Sequence, residues 1–126
     1  MVSADTNLLV SLIARDDDEQ VAQSEAFIEN GAWVSHLVVA EAIWVLAKVY
    51  RRSTRDQIEI LEMLLKHRSL IIEDPETVAA AVDLFRAKPR LRFSDCLIFE
   101  ISKKAGHLPL GTFDRGFSSV EGAELI

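Results

Sequence analysis

The chain has 126 residues, of which 49% are hydrophobic and 27% charged, and a formal charge of −6. That length and apolar content suit one compact domain with a real core and leave no room for a second. The acidic balance argues against indiscriminate binding to a nucleic-acid backbone, the apolar run around Glu41 is too short and too acidic to span a bilayer, and a lone cysteine supplies neither an internal disulfide nor a zinc cluster.

In chain order, "MVSA" reads as a short buried strand and "TNLLVSLIA" as a helix, with Leu8, Leu9, Leu12 and Ile13 at helical spacing. "RDDDEQVAQSEAFIENG" follows as a second helix, its aspartates suited to the N-terminus and Gly31 to the stop. "AWVS" is the second strand. "HLVVAEAIWVLAKVYRR" is a long, mostly buried helix ending in cations, and "STRDQIEILEMLLKH" opens with Thr54 and Gln57 in capping-box spacing. After a third strand, "LIIE", comes "DPETVAAAVDLFRAK", with Asp74 as cap and Pro75 at the first helical position. A basic connector, "KPRLRF", leads to the helix "SDCLIFEISKKAG", capped by Ser94 or Asp95 and closed by Gly106. "LPLGTF" is a fourth strand and "AELI" a fifth. Helical segments alternating with apolar strands imply a parallel sheet covered on both faces, with ligands bound outside the carboxyl ends of its strands. No repeat or flexible linker divides the chain. The first residues lack the charged-then-apolar order of a leader, which gives the expectation of a cytosolic protein. Cys96, inside the apolar "CLIF", reads as a buried reduced thiol and not a nucleophile.

Two strand-like stretches run directly into aspartates, Asp5 and Asp114, which places both at the ligand-binding edge. Glu41 is conspicuous for another reason. Its helical neighbours Leu37, Val38, Trp44 and Val45 are all apolar, so no cation on its own helix pairs with it, and an unpaired carboxylate on an apolar helix is costly to bury. Asp95 stands at a helix start. Each acid has an ordinary explanation: a cap for Asp5 and Asp95, a turn for Asp114, an exposed stripe or a distant cation for Glu41.

Together, the motifs "ADTN", "VVAEAIWVL", "FSDCLIFEIS" and "GTFDRGF", in that order, resemble the PIN-domain nucleases over essentially the whole chain. The size and the early "DTNLLVSLIARDDDEQ" look like the VapC toxins of toxin–antitoxin pairs. The resemblance implies a three-layer α/β/α fold around a central parallel sheet of about five strands. It also implies four acids in one pocket, Asp5, Glu41, Asp95 and Asp114. Crowded carboxylates repel one another unless a hard cation lies between them, so Mg²⁺ or Mn²⁺ is the implied cofactor. Asp5, Asp95 and Asp114 are then the metal ligands and Glu41 a ligand or the orienter of an attacking water, with Thr6, Asn7 and Thr112 fixing carboxylates by hydrogen bonds. Glu100, one turn beyond Asp95, ranks below the four.

The implied activity is endoribonuclease, and the implied partners are RNA, a small antitoxin that covers the pocket and a second copy of the chain. Positive charge for RNA concentrates in "YRRSTR", "KPRLR" and "SKK"; Arg90, Arg92 and Arg115 are the RNA-binding candidates because they adjoin motif acids. His36, His67 and His107 are scattered and receive no role. A phosphatase of the haloacid-dehalogenase type would need a second Asp where this chain has Asn7. A PIN-like module that only binds protein stands as the other alternative.

Overall fold

Small polar side chains start the first four helices of this chain, and the positions of those caps set where these elements begin. The computed structural model describes residues 1–126. It divides into two compact units, Met1–Pro75 and Glu76–Ile126.

In the first unit β1 (Val2–Ser3), β2 (Ala32–Val34) and β3 (Leu70–Ile72) form a parallel sheet in the order β1-β2-β3. Helices α1 (Thr6–Ala14) and α2 (Asp18–Ile28) separate β1 from β2, and α3 (His36–Lys48) and α4 (Thr54–Lys66) separate β2 from β3. Asp5 caps α1 through the Leu8 N–H, Asp17 caps α2, Ser35 caps α3 and Ser53 caps α4. Such caps contribute about 1 kcal/mol each because they satisfy N–H groups that have no partner within the helix. The α4 cap is therefore Ser53, one residue before the expected Thr54, and Gln57 turns its side chain to the Arg52 carbonyl instead of closing a capping box. Helix α3 ends at Lys48, short of the expected Arg52, and Arg51 takes a left-handed φ of 55°.

The sheet departs from the expectation of two covered faces. Ala32, Val34, Leu70 and Ile72 are buried on one face, whereas Trp33 and Ile71, paired in register on the other, are partly exposed. The alternation of side chains along a strand makes this a choice of one face, not of individual residues. Helix α1 packs on both α2 and α3. Leu9, Val39, Ala42, Ile43 and Leu46 are buried.

In the second unit α5 (Pro75–Ala87, whose first residue closes the preceding unit) and α6 (Phe93–Lys104) are followed by a parallel pair, β4 (Leu110–Thr112) and β5 (Ala123–Leu125), with a 3-10 turn at Arg115–Phe117 between them. Pro75 opens α5 as expected, preceded by Asp74 at a φ of 41°. Phe85 stacks at an angle on Phe93, and Phe99 on Phe117, with centroids 6.2 and 6.3 Å apart. Gly122 has a φ of 100°, and a Cβ there would meet Leu108 at 3.0 Å and Phe99 at 3.2 Å, so the turn into β5 requires glycine.

The fold class is α/β with six helices and five parallel strands, as the pattern implied, but the strands hydrogen-bond as sets of three and two, not as one sheet of five. Ladders only two or three residues long carry few inter-strand bonds, so packing and caps hold these strands as much as pairing does. Leu46→Ala, at a fully buried site, is expected to lower unfolding stability by about 2–5 kcal/mol, and Leu37→Ala, at a site 67% exposed, by no more than about 0.5 kcal/mol; urea unfolding of both variants checks this.

Candidate functional site

The acids singled out in the sequence fall two in each unit, three of them held by local structure and Glu41 by a contact between helices. In the first unit, Asp5 follows the buried Ala4 at the end of β1, where the chain turns into α1. Its Oδ1 accepts the Leu8 N–H at 2.9 Å. The next residue, Thr6, donates its hydroxyl to Glu41 Oε2 at 2.9 Å, which ties the first turn of α1 to the middle of α3. Glu41 thereby comes beside the N-terminus of α1, whose unpaired N–H groups favour negative charge.

Glu41 is exposed, which resolves the cost of a carboxylate on an apolar helix. Helix α3 buries Val39, Ala42, Ile43 and Leu46 and turns Leu37, Glu41, Trp44 and Lys48 outward on one stripe. Leu37 and Trp44 remain 67% and 49% exposed on either side of the acid. Asn7 lies exposed in the first turn of α1.

In the second unit, Asp95 is not the cap of α6. The helix begins at Phe93, and Asp95, inside its first turn, reaches back so that Oδ2 accepts the Arg92 N–H at 3.1 Å and Arg92 Nε at 3.5 Å. Arg92, an RNA-binding candidate, is thus engaged with a motif acid. Asp114 lies past β4, and its Oδ1 accepts the Gly116 N–H at 2.8 Å. Thr112 Oγ1 accepts the Asp114 N–H at 3.0 Å; it fixes the backbone that carries the acid and does not touch the carboxylate. Gly116 is required here: a Cβ would stand 2.9 Å from Leu91 Cδ2 and 3.0 Å from Asp114 Oδ1.

The four acids share one feature. Each commits a single carboxylate oxygen to hydrogen bonding, leaving Asp5 Oδ2, Glu41 Oε1, Asp95 Oδ1 and Asp114 Oδ2 for another partner. Within neither unit do three His, Cys, Asp or Glu side chains gather closely enough to hold a metal ion. As a donor set, the free oxygens are hard and anionic, which suits Mg²⁺ or Mn²⁺ and not a soft metal. Cys96 adds no soft ligand, since it is fully buried and burial, with the charges of Asp95 and Glu100, pushes its thiol up to about 12.

The fold defines an α/β protein of parallel strands with carboxylates at turns and helix starts. A family model for the PIN domain matches residues 2–123, across both units, and the chain belongs to that family, whose members are typically metal-dependent nucleases. No curated protein matches the chain. No helix is long and apolar enough to cross a membrane.

Sequence reasoning named the acids but not how they are held. The Thr6–Glu41 bond spans 35 residues, and no local pattern marks it. Asp95 at the third helical position did have a signal, since a carboxylate there commonly reaches back to the first amide of the helix. The buried Cys96 thiol is expected to resist alkylation by iodoacetamide at pH 8, because its raised pKa leaves almost no thiolate, and to react readily in denaturant. Labelling followed by mass spectrometry measures both rates.

Proposed function

We propose that the protein is a metal-dependent endoribonuclease and the toxin of a VapC-type toxin–antitoxin pair. The observation that carries this reading is the polarised state of all four acids, each anchored through one oxygen and free at the other. The PIN match over residues 2–123 and the motif order support it.

In this reading Asp5, Asp95 and Asp114 are the carboxylates that would hold Mg²⁺ or Mn²⁺, and Glu41 would orient the attacking water and take its proton. The divalent ion, when bound, neutralises charge at the scissile phosphate and makes a coordinated water more acidic. Thr6 is the positioning residue for Glu41: its hydroxyl occupies Oε2, so Oε1 is the basic oxygen. Thr112 fixes the chain at Asp114. Because each anchoring bond comes from an amide, a hydroxyl or a guanidinium that stays in place, the carboxylates need little rearrangement during reaction. The partners are RNA, an antitoxin that covers the acids, and a second copy of the chain.

The experiment is cleavage of a labelled RNA by protein free of any antitoxin, with Mg²⁺ or Mn²⁺ and with EDTA. Cleavage is expected with either ion and none in EDTA. Asp5→Asn, Asp95→Asn and Asp114→Asn should each lower the rate by about a hundredfold or more while the fold persists, since Asn keeps the anchoring carbonyl and removes only the charge. Undiminished cleavage in EDTA would refute the metal mechanism, and an inert, folded wild type would favour a protein that only binds.

A further inference from the structure

The second unit carries a pocket of about 340 Å³ that the four acids do not explain. Two turns build it. In the first, the Leu91 N–H bonds the Lys88 carbonyl at 3.0 Å just past the end of α5, presenting Lys88 and Arg90. In the second, the Phe117 and Ser118 N–H groups bond the Asp114 and Arg115 carbonyls, presenting Arg115, Ser118 and Ser119. The buried Leu91 lies against Gly116, and the absence of a side chain at Gly116 lets the turns approach. Three cations and two hydroxyls therefore border one concavity, and none of the three cations takes part in the chain's ion pairs.

Like charges held around a concave surface reinforce one another's potential, and in a chain of charge −6 such an unneutralised cluster stands out. An anion relieves that repulsion. A carboxylate offers two oxygens and one charge, whereas a phosphate offers more acceptor oxygens and up to two charges, which matches the larger donor set of two guanidinium forks, an ammonium and two hydroxyls. The volume exceeds what a lone phosphate fills and is in the range of pockets that take a small organic ligand.

We propose that this pocket binds a phosphate group carried on ribose, and that the source is an RNA strand passing Asp114, with a free mononucleotide as the other source of the same chemistry. Arg115 directly follows Asp114, so a strand held at the pocket passes close to that acid. The choice of RNA rests on the nuclease reading; the phosphate site does not, because it uses no divalent ion. Lys88, Ser118 and Ser119 join Arg90 and Arg115 in the contact, and Arg92 stays with Asp95.

The test is fluorescence anisotropy of a labelled single-stranded oligoribonucleotide with the full chain in EDTA, where no cleavage interferes, over a range of salt. Wild type should bind, and the Lys88→Gln/Arg90→Gln double variant should bind at least about tenfold more weakly, with a salt slope reduced by about 0.7 for the one phosphate no longer neutralised. Arg68→Gln, a change at an exposed position between α4 and β3 that removes the same kind of charge, should bind like wild type. Competition by adenosine monophosphate assigns the site to a mononucleotide, and RNA binding that resists such competition assigns it to the strand; each supports the phosphate site. A double variant that melts and binds as wild type does overturns it. RNA binding through the pocket by a protein that cleaves nothing would retain the site and reject the nuclease, and cleavage with a neutral double variant would do the reverse.

Discussion

A carboxylate can be pointed without being consumed, and the bond from Thr6 to Glu41, which the proposed role of Glu41 depends on, does this in the first unit. One hydroxyl holds one oxygen at 2.9 Å, and the other oxygen stays available. The same bond joins the helix that Asp5 caps to the helix that carries Glu41, so the placement of one acid depends on the fold that the other begins. Asp5 does two things with one side chain: it satisfies an amide of α1 and it presents a charge. That is why its ordinary role as a cap and its proposed role as a ligand do not compete.

Exposure of Glu41 has a cost elsewhere on α3. To keep the charge in water, the helix leaves Leu37 and Trp44 partly uncovered, forgoing part of the roughly 1.5–3 kcal/mol that full burial of a large apolar side chain contributes. Burying Glu41 unpaired would cost more, because an isolated charge in an apolar interior must either neutralise or recover several kcal/mol of lost hydration. Val39, Ala42, Ile43 and Leu46, on the buried face, supply the packing that fixes this orientation. An outward stripe of Leu, Glu, Trp and Lys is the result of that balance.

The second unit solves a related problem with turns. Asp95 and Asp114 are each held by a main-chain amide within three residues, so short-range geometry alone orients them. The cations nearby divide into two kinds. Arg92 is paired with Asp95, whereas Lys88, Arg90 and Arg115 border an open pocket without partners. Gly116 links these features, since it lets the turn after Asp114 lie against Leu91 and donates the amide that holds the acid.

The amino-acid pattern by itself determined the helices, the strands and the family, and it singled out the four acids as candidates, because caps, apolar periodicity and motif order are properties of neighbouring residues. Cys96 was legible for the same reason: an apolar run around a thiol marks burial. Tertiary structure alone decided which face of α3 turns outward, that Thr6 meets Glu41 across 35 residues, and that Lys88 lines a pocket. It also decided that the five strands pair as three and two, and that Ser53 and not Thr54 starts α4. These outcomes turn on which groups reach one another after packing, and a free hydroxyl, a half-covered strand and an unpaired cation look the same in sequence as their engaged counterparts.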